Sequence, residues 1–173
     1  VIEAGHLGKM AKSKHLIEID IPTQTLTLRE ASGDVLIQTL VSTAKNGAGE
    51  RIESECTPRG QHIIRACIGA GAPMNTVFVS RRPSGELYSP ALRALYPQRD
   101  WILTRILWLS GVERGKNRLG EVDTMRRYIY IHGAPDEDPM GVPSSHGCIK
   151  MRNSEIVSLF HIVVPGTRVL IRG

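Results

Sequence analysis

Near the end of the chain, Ser144-Ser145-His146-Gly147-Cys148-Ile149-Lys150-Met151 follows Tyr128-Ile129-Tyr130-Ile131-His132-Gly133 across a short, turn-rich link. This window holds one thiol, two imidazoles and three glycines, Gly133, Gly141 and Gly147. A cysteine within reach of a histidine is the minimum equipment for covalent acyl transfer: the thiolate attacks, and the imidazole takes the proton and later returns it. A free thiol is mostly protonated at neutral pH and needs such a neighbour. Gly147 lets the backbone turn closely, so the amides of Gly147 and Cys148 are expected to face a developing oxyanion. Ser145 and His146 are expected to brace this loop. His146 is assigned a structural or substrate-orienting role, because a side chain two residues from the cysteine diverges from it on a turn. Zinc held by His132, His146 and Cys148 is the competing reading. It lacks a second cysteine or a carboxylate at ligand spacing, so neither metal nor cofactor is expected.

The elements that must position these groups are mostly strands. Leu16 to Asp20 alternates at period two, Pro22-Thr23 breaks the run, and Thr25 to Leu28 and Val35 to Val41 complete an antiparallel meander. Further strands are expected at His62 to Ile68, Val77 to Ser80, Trp101 to Leu109, Arg126 to Ile131 and Thr167 to Arg172. The fourth of these would deliver His132 to its end. Ser89-Pro90 reads as the N-cap and first turn of a short helix that Pro97 stops. Asn153 reads as the cap of a helix running to about Ile162, with Ile156, Phe160 and Val163 on one face. The chain therefore reads as one mainly β domain over residues 14–173 with a C-terminal helix. A basic insertion spans about 74–127, and residues 1–13 form a tail, tag or extension.

The set Ile131-His132-Gly133, Ser145-His146-Gly147-Cys148-Ile149-Lys150-Met151 and Asn153 resembles the signature of the L,D-transpeptidase catalytic domain, the YkuD family. The turn Thr57-Pro58-Arg59-Gly60 and the segment Trp108-Leu109-Ser110-Gly111 extend the resemblance from about His15 onward. It implies a β-sandwich of mixed sheets with a C-terminal helix and a lid. It also implies a substrate, the peptidoglycan tetrapeptide stem or a soluble muropeptide, opened at the meso-diaminopimelate–D-alanine bond through a thioester. The acyl group would pass to an amine (transpeptidase) or to water (L,D-carboxypeptidase); a non-catalytic wall-binding module is the weaker reading. By the motif match Cys148 is the nucleophile, His132 the general base and the Gly133 carbonyl the group that orients the imidazole. Ser145, Lys150, Arg114 and Asn117 are the expected substrate contacts, and carbapenems are expected inhibitors. Lys150 stands where the family often has arginine, keeping the charge and losing the planar fork.

Net charge is +5, and the segment from Arg81 to Arg127, with ten Lys/Arg against five acids, carries an excess equal to that of the whole chain. That suits a solvated basic surface or an anionic ligand near the site. No aromatic stacking pattern accompanies the arginines, so nucleic acid is not an expected partner. The longest apolar runs are too short and interrupted for membrane insertion. Three cysteines cannot all pair; free thiols are expected, with Cys56–Cys67 the one candidate bridge. No apolar leader appears in residues 1–14, so the chain as written reads as cytoplasmic. An upstream signal removed in processing would place it in the periplasm or cell envelope.

Overall fold

The computed structural model describes residues 13–173; residues 1–12 of the N-terminal tail lie outside the described residues. Among the described residues, ten strands, two α-helices and one 3-10 turn follow one another. The strands are β1 (Leu16–Asp20), β2 (Thr25–Arg29), β3 (Val35–Leu40), β4 (Gly60–Ile68), β5 (Thr76–Val79), β6 (Arg82–Leu87), β7 (Leu103–Gly111), β8 (Tyr130–Ala134), β9 (Ile149–Arg152) and β10 (Arg168–Arg172). Helix α1 is Pro90–Leu95, α2 is Asn153–Ile162, and the 3-10 turn is Gly120–Val122.

All ten strands join one mixed sheet. The meander β1–β3 forms as its alternation dictates, with Ile17 and Ile19 opposite Leu28 and Leu26. The last strand, β10, inserts in parallel beside β1 and antiparallel to β4, so the chain ends lock the middle of the sheet. Strand β7 pairs with β4 and β8 and touches β5, and β8 pairs in parallel with β9. The sheet curls around a core in which Ile17, Leu26, Ile64, Leu107, Leu109, Ile131, Ile149 and Met151 meet Ile156 and Leu159 of α2. Apolar burial of this kind stabilises by roughly 1.5–3 kcal/mol per large side chain.

Three local expectations need correction. Strand β8 begins at Tyr130, not Arg126, because a turn occupies the preceding residues: Asp123 accepts from the Arg126 amide and Tyr128 adopts φ 55°. His132 therefore sits mid-strand. Asn153 is the first residue of α2 and caps nothing. Instead its side chain accepts from Thr104 Oγ1 at 2.6 Å and donates to Asn75 and Asp136. The face of α2 read from the sequence forms, with Ile156 and Val163 in the core and Phe160 packed against it, and Leu159 is buried beside them. Strand β6 went unread because Arg82-Pro83-Ser84-Gly85-Glu86-Leu87 lacks apolar alternation and is mostly exposed. By contrast, α1 starts as read, with Ser89 Oγ accepting from the Leu92 amide at 3.1 Å. All three cysteines are free.

His62 is a core residue with consequences for stability. Its imidazole bridges Gly60 O (3.0 Å) and Thr124 Oγ1 (2.9 Å), tying β4 to the segment before β8. Burial pushes its pKa down from 6.5 to about 4. The unfolded chain binds this proton more readily, so the neutral side chain's contribution is complete above pH 6.5 and is lost as pH falls toward 4. About 3 kcal/mol is at stake. Urea unfolding of the wild type and His62→Gln between pH 7 and 4 is expected to show a stability difference that shrinks by about that amount. A difference independent of pH would remove His62 as its source.

Candidate active site

The parallel register of β8 and β9 builds the site. His132 lies opposite Lys150, and Ile131 opposite Ile149. At period two, Tyr130 and His132 share a face with Cys148 and Lys150, while Ile131, Ile149 and Met151 point into the core. The four polar-face residues line one cleft of about 420 Å³. Ser145, His146 and Arg127 contribute to the same wall, and Ser80 and Arg81 of the β5–β6 hairpin reach its mouth.

His132 is buried, and its Nδ1 lies 2.7 Å from the Gly133 carbonyl oxygen. A carbonyl only accepts, so Nδ1 carries the proton and Nε2 keeps its lone pair for another group's proton. Gly133 has to be glycine for a separate reason: a Cβ there would stand 2.5 Å from Asn153 Oδ1 and 2.7 Å from Leu103 O. The Asn153 side chain thus packs against the residue that orients the imidazole.

Cys148 is half-buried, and its Sγ lies 3.4 Å from Tyr128 O and accepts from the Tyr130 amide at 3.3 Å. Burial pushes the thiol pKa up to about 12; the Tyr130 amide and the charges of Lys150 and Arg127 oppose the shift, and Asp100 adds to it. Burial also lowers the pKa of His132, opposed by Asp100 and the Gly133 bond. The resting pair is therefore a thiol beside a neutral imidazole. Alkylation of Cys148 by iodoacetamide, read by peptide mass, is expected to be slow at pH 7.5 and to rise about tenfold per pH unit toward pH 11. A rate that levels off below pH 8 would indicate a resting thiolate instead.

The loop before Cys148 is fixed from behind. Ser145 is buried, and its hydroxyl donates to Cys148 O (2.5 Å) and accepts from the Gly147 amide (3.2 Å). This corrects the expectation for Gly147, whose N–H is engaged by Ser145 and is not turned to the cleft. Thr57 adds a bond to Gly147 O at 2.9 Å and accepts from the Ala44 amide. Gly147 itself has φ 131°, which only glycine adopts without strain. His146 is exposed at the rim. Lys150 lines the cleft, but its ammonium is drawn toward Asp138 (3.8 Å) and Ser144 (3.4 Å).

Arg114 and Asn117 are not brought to this cleft. Asn117 is buried in the turn after β7, donating to Arg59 O and Gln61 O and accepting from the Glu113 amide. Arg114 lines a separate surface hollow with Arg118 and Glu121. The carboxylates of the loop after β8 are spent on structure: Glu137 accepts from the Tyr88 hydroxyl and Asp138 from Arg93 at 2.6 Å, docking α1.

Three further cleft residues lie outside the motif, two of them, Arg81 and Arg127, at the ends of the basic segment. Arg81 lies 4.9 Å from the Trp108 ring and 4.8 Å from the Tyr128 ring, and donates to Tyr130 Oη at 3.0 Å. It occupies a two-residue hairpin turn with Ser80, both at positive φ, where Asn-Gly would be relaxed. Those contacts hold the strained turn over the cleft. Asp100 is an exposed carboxylate on the cleft wall without an ion pair among the described residues. Arg127 donates to Cys56 O (2.6 Å), Gly49 O and Glu50 O, pinning the neighbouring loop while placing a cation near the thiol.

Cys148 thus stands immediately before β9, next to the strand β8 that carries the carbonyl-held His132. The model of the L,D-transpeptidase catalytic domain, YkuD, matches residues 14–171, and the chain belongs to that family. A segment of 45 residues is 51% identical to the Bacillus subtilis (strain 168) protein named "Putative L,D-transpeptidase YqjB", 26% of each chain. Among solved structures, L,D-transpeptidase 3 from Mycobacterium tuberculosis, in complex with a faropenem-derived adduct, superposes with TM-score 0.57 at 14% identity, covering 92% of this chain and 60% of that one. The L,D-transpeptidase from Mycobacterium smegmatis gives 0.54 at 18% identity, over 93% and 59%. At these identities the structural likeness speaks for the fold, and the chain spans only about three-fifths of either protein's length.

Proposed function

We propose that the protein forms a thioester between Cys148 and the third residue of a peptidoglycan tetrapeptide stem, releasing D-alanine. The observation that carries this is the 2.7 Å contact between His132 Nδ1 and Gly133 O, which leaves Nε2 as the base on the strand beside Cys148. As Sγ attacks the diaminoacyl carbonyl carbon, its proton passes to His132 Nε2 and the C–S bond forms. The proton then moves to the nitrogen of D-alanine as the C–N bond breaks. Because burial favours the neutral pair, proton transfer accompanies attack and does not precede it. The Cys148 amide, with no acceptor among the described residues, is the donor available to the oxyanion.

We infer that water is the acyl acceptor. At about 420 Å³ the cleft lies toward the small end of ligand pockets, which run to roughly 1,000 Å³, and suits one stem terminus. The second half-reaction then places water on the thioester carbon, with His132 taking its proton and returning it to the Cys148 sulfur. This makes the enzyme an L,D-carboxypeptidase that trims tetrapeptide to tripeptide. A free amine in the same position would give the transpeptidase product.

Arg81 and Asp100 complete the reading as partners for the free carboxylate and ammonium of the diaminoacyl side chain. Arg81→Gln is expected to raise KM about tenfold for a stem whose carboxylate is free and to leave KM for the amidated stem nearly unchanged. Equal effects on both would remove Arg81 from carboxylate recognition. Intact mass after incubation with a carbapenem tests the nucleophile: one covalent adduct is expected on the wild type and none on Cys148→Ala. An unmodified wild type would count against the thioester reading.

A further inference from the structure

A second cavity, of about 250 Å³, opens on the outer face of the same sheet. Leu107 and Leu109 of β7 point into the core, so Ile106, Trp108 and Ser110 point to the face that carries the catalytic cleft. Trp108 contacts residues that line each of the two hollows. On one side its ring meets Tyr128 and Tyr130, which line the cleft. On the other its indole N–H donates to Met125 O at 3.2 Å, and Met125 lines the second cavity. Arg81 lies 4.9 Å from this ring on the cleft side, and Arg65, from the bulge in β4, lies 5.6 Å from it on the cavity side.

Three guanidinium groups, Arg65, Arg118 and Arg126, line this cavity. Among the described residues none of them forms an ion pair. The one carboxylate in the wall, Asp123, is committed to the amides of Leu119 (2.7 Å) and Arg126 (2.9 Å). An independent observation marks the floor: the Ser110 hydroxyl is buried and has no hydrogen-bond partner. A buried hydroxyl without a partner is costly, and here it stands beside three unneutralised cations. An oxyanion meets both needs, with several acceptor oxygens for the guanidinium forks and one for the hydroxyl.

We propose that this cavity is an anion subsite, taking a phosphate or carboxylate carried on the remote part of a ligand whose reacting end lies in the catalytic cleft. The placement beside that end rests on the proposed function; the anion chemistry does not. Within a stem-bearing ligand the group is either a carboxylate of the peptide or a phosphate toward its saccharide end. The surplus of cations between Arg81 and Arg127 then has a specific use, through Arg118 and Arg126.

Calorimetric titration with sodium pyrophosphate and, separately, with glutarate distinguishes the two sources and tests the site. Saturable binding of at least one anion to the wild type is expected, weakened about tenfold or more in the Arg118→Gln/Arg126→Gln variant. Ser110→Ala is expected to weaken the same anion without lowering the thermal midpoint, since that hydroxyl bonds to nothing in the fold. Neither change should alter covalent modification of Cys148 by a carbapenem. Absence of saturable binding of either anion, or equal binding by wild type and variants, would overturn the subsite. A wild type that binds the anion but is never acylated would leave the subsite standing and remove the acyl-enzyme reading.

Discussion

Cys148→Ala is expected to abolish D-alanine release from a tetrapeptide stem. The methyl group provides no electron pair for the carbonyl carbon, and no other cysteine is available: neither Cys56 nor Cys67 lines the catalytic cleft. What survives would be water acting in a preformed cleft, slower by at least about a thousandfold. Folding should be little changed, because Sγ makes only two long hydrogen bonds, to Tyr128 O and the Tyr130 amide, and packs at the edge of the cluster of Phe78, Ile106 and Tyr130. Release of D-alanine measured by coupled oxidation checks the rate, and thermal unfolding checks the fold. Retention of activity would sink the nucleophile assignment.

His132→Gln should lower kcat nearly as far, at least about a hundredfold to a thousandfold, with a smaller change in KM. The reason lies in the two pKa directions. With the thiol pushed up to about 12, attack at neutral pH requires a base beside it, and burial keeps the imidazole neutral and ready to accept. The acid limb of kcat/KM for the wild type follows with its sign fixed. His132 must be unprotonated and its pKa is lowered, so activity persists below pH 6.5 and falls only as pH drops through that lowered value. Loss of activity centred at or above pH 6.5 would contradict the buried, neutral base.

Much of the site was legible because its essential side chains are rare types on simple periods. The alternation Tyr128-Ile129-Tyr130-Ile131-His132 and Cys148-Ile149-Lys150-Met151 separates a core face from a polar face, and parallel pairing puts the two polar faces side by side. What stayed hidden depends on backbone atoms and on distant packing. The Tyr128 carbonyl and Tyr130 amide beside Sγ have no residue-type signature. Gly147 donates to Ser145 because a hydroxyl two residues earlier competes for its amide, which local turn chemistry does not reveal. Arg81 reaches the cleft through a strained hairpin whose second strand shows no apolar alternation.

Arg114 and Asn117 were drawn to the substrate by their charge and polarity within a basic segment. The chain instead folds back after β7, and Asn117 packs so closely on Gly111 that a Cβ there would lie 2.0 Å from Asn117 O. Its amide group then saturates the turn and nothing else. The meander, β10 and α1 were readable for the opposite reason, since each is set by its own alternation or cap.

The most direct measurement is incubation of the wild type and Cys148→Ala with a purified tetrapeptide muropeptide, with and without an added amine acceptor, followed by mass analysis of the products. Tripeptide and free D-alanine from the wild type, and unchanged tetrapeptide with Cys148→Ala, is the expected result. Tetrapeptide left intact by the wild type, or equal turnover by both proteins, would contradict a thioester at Cys148.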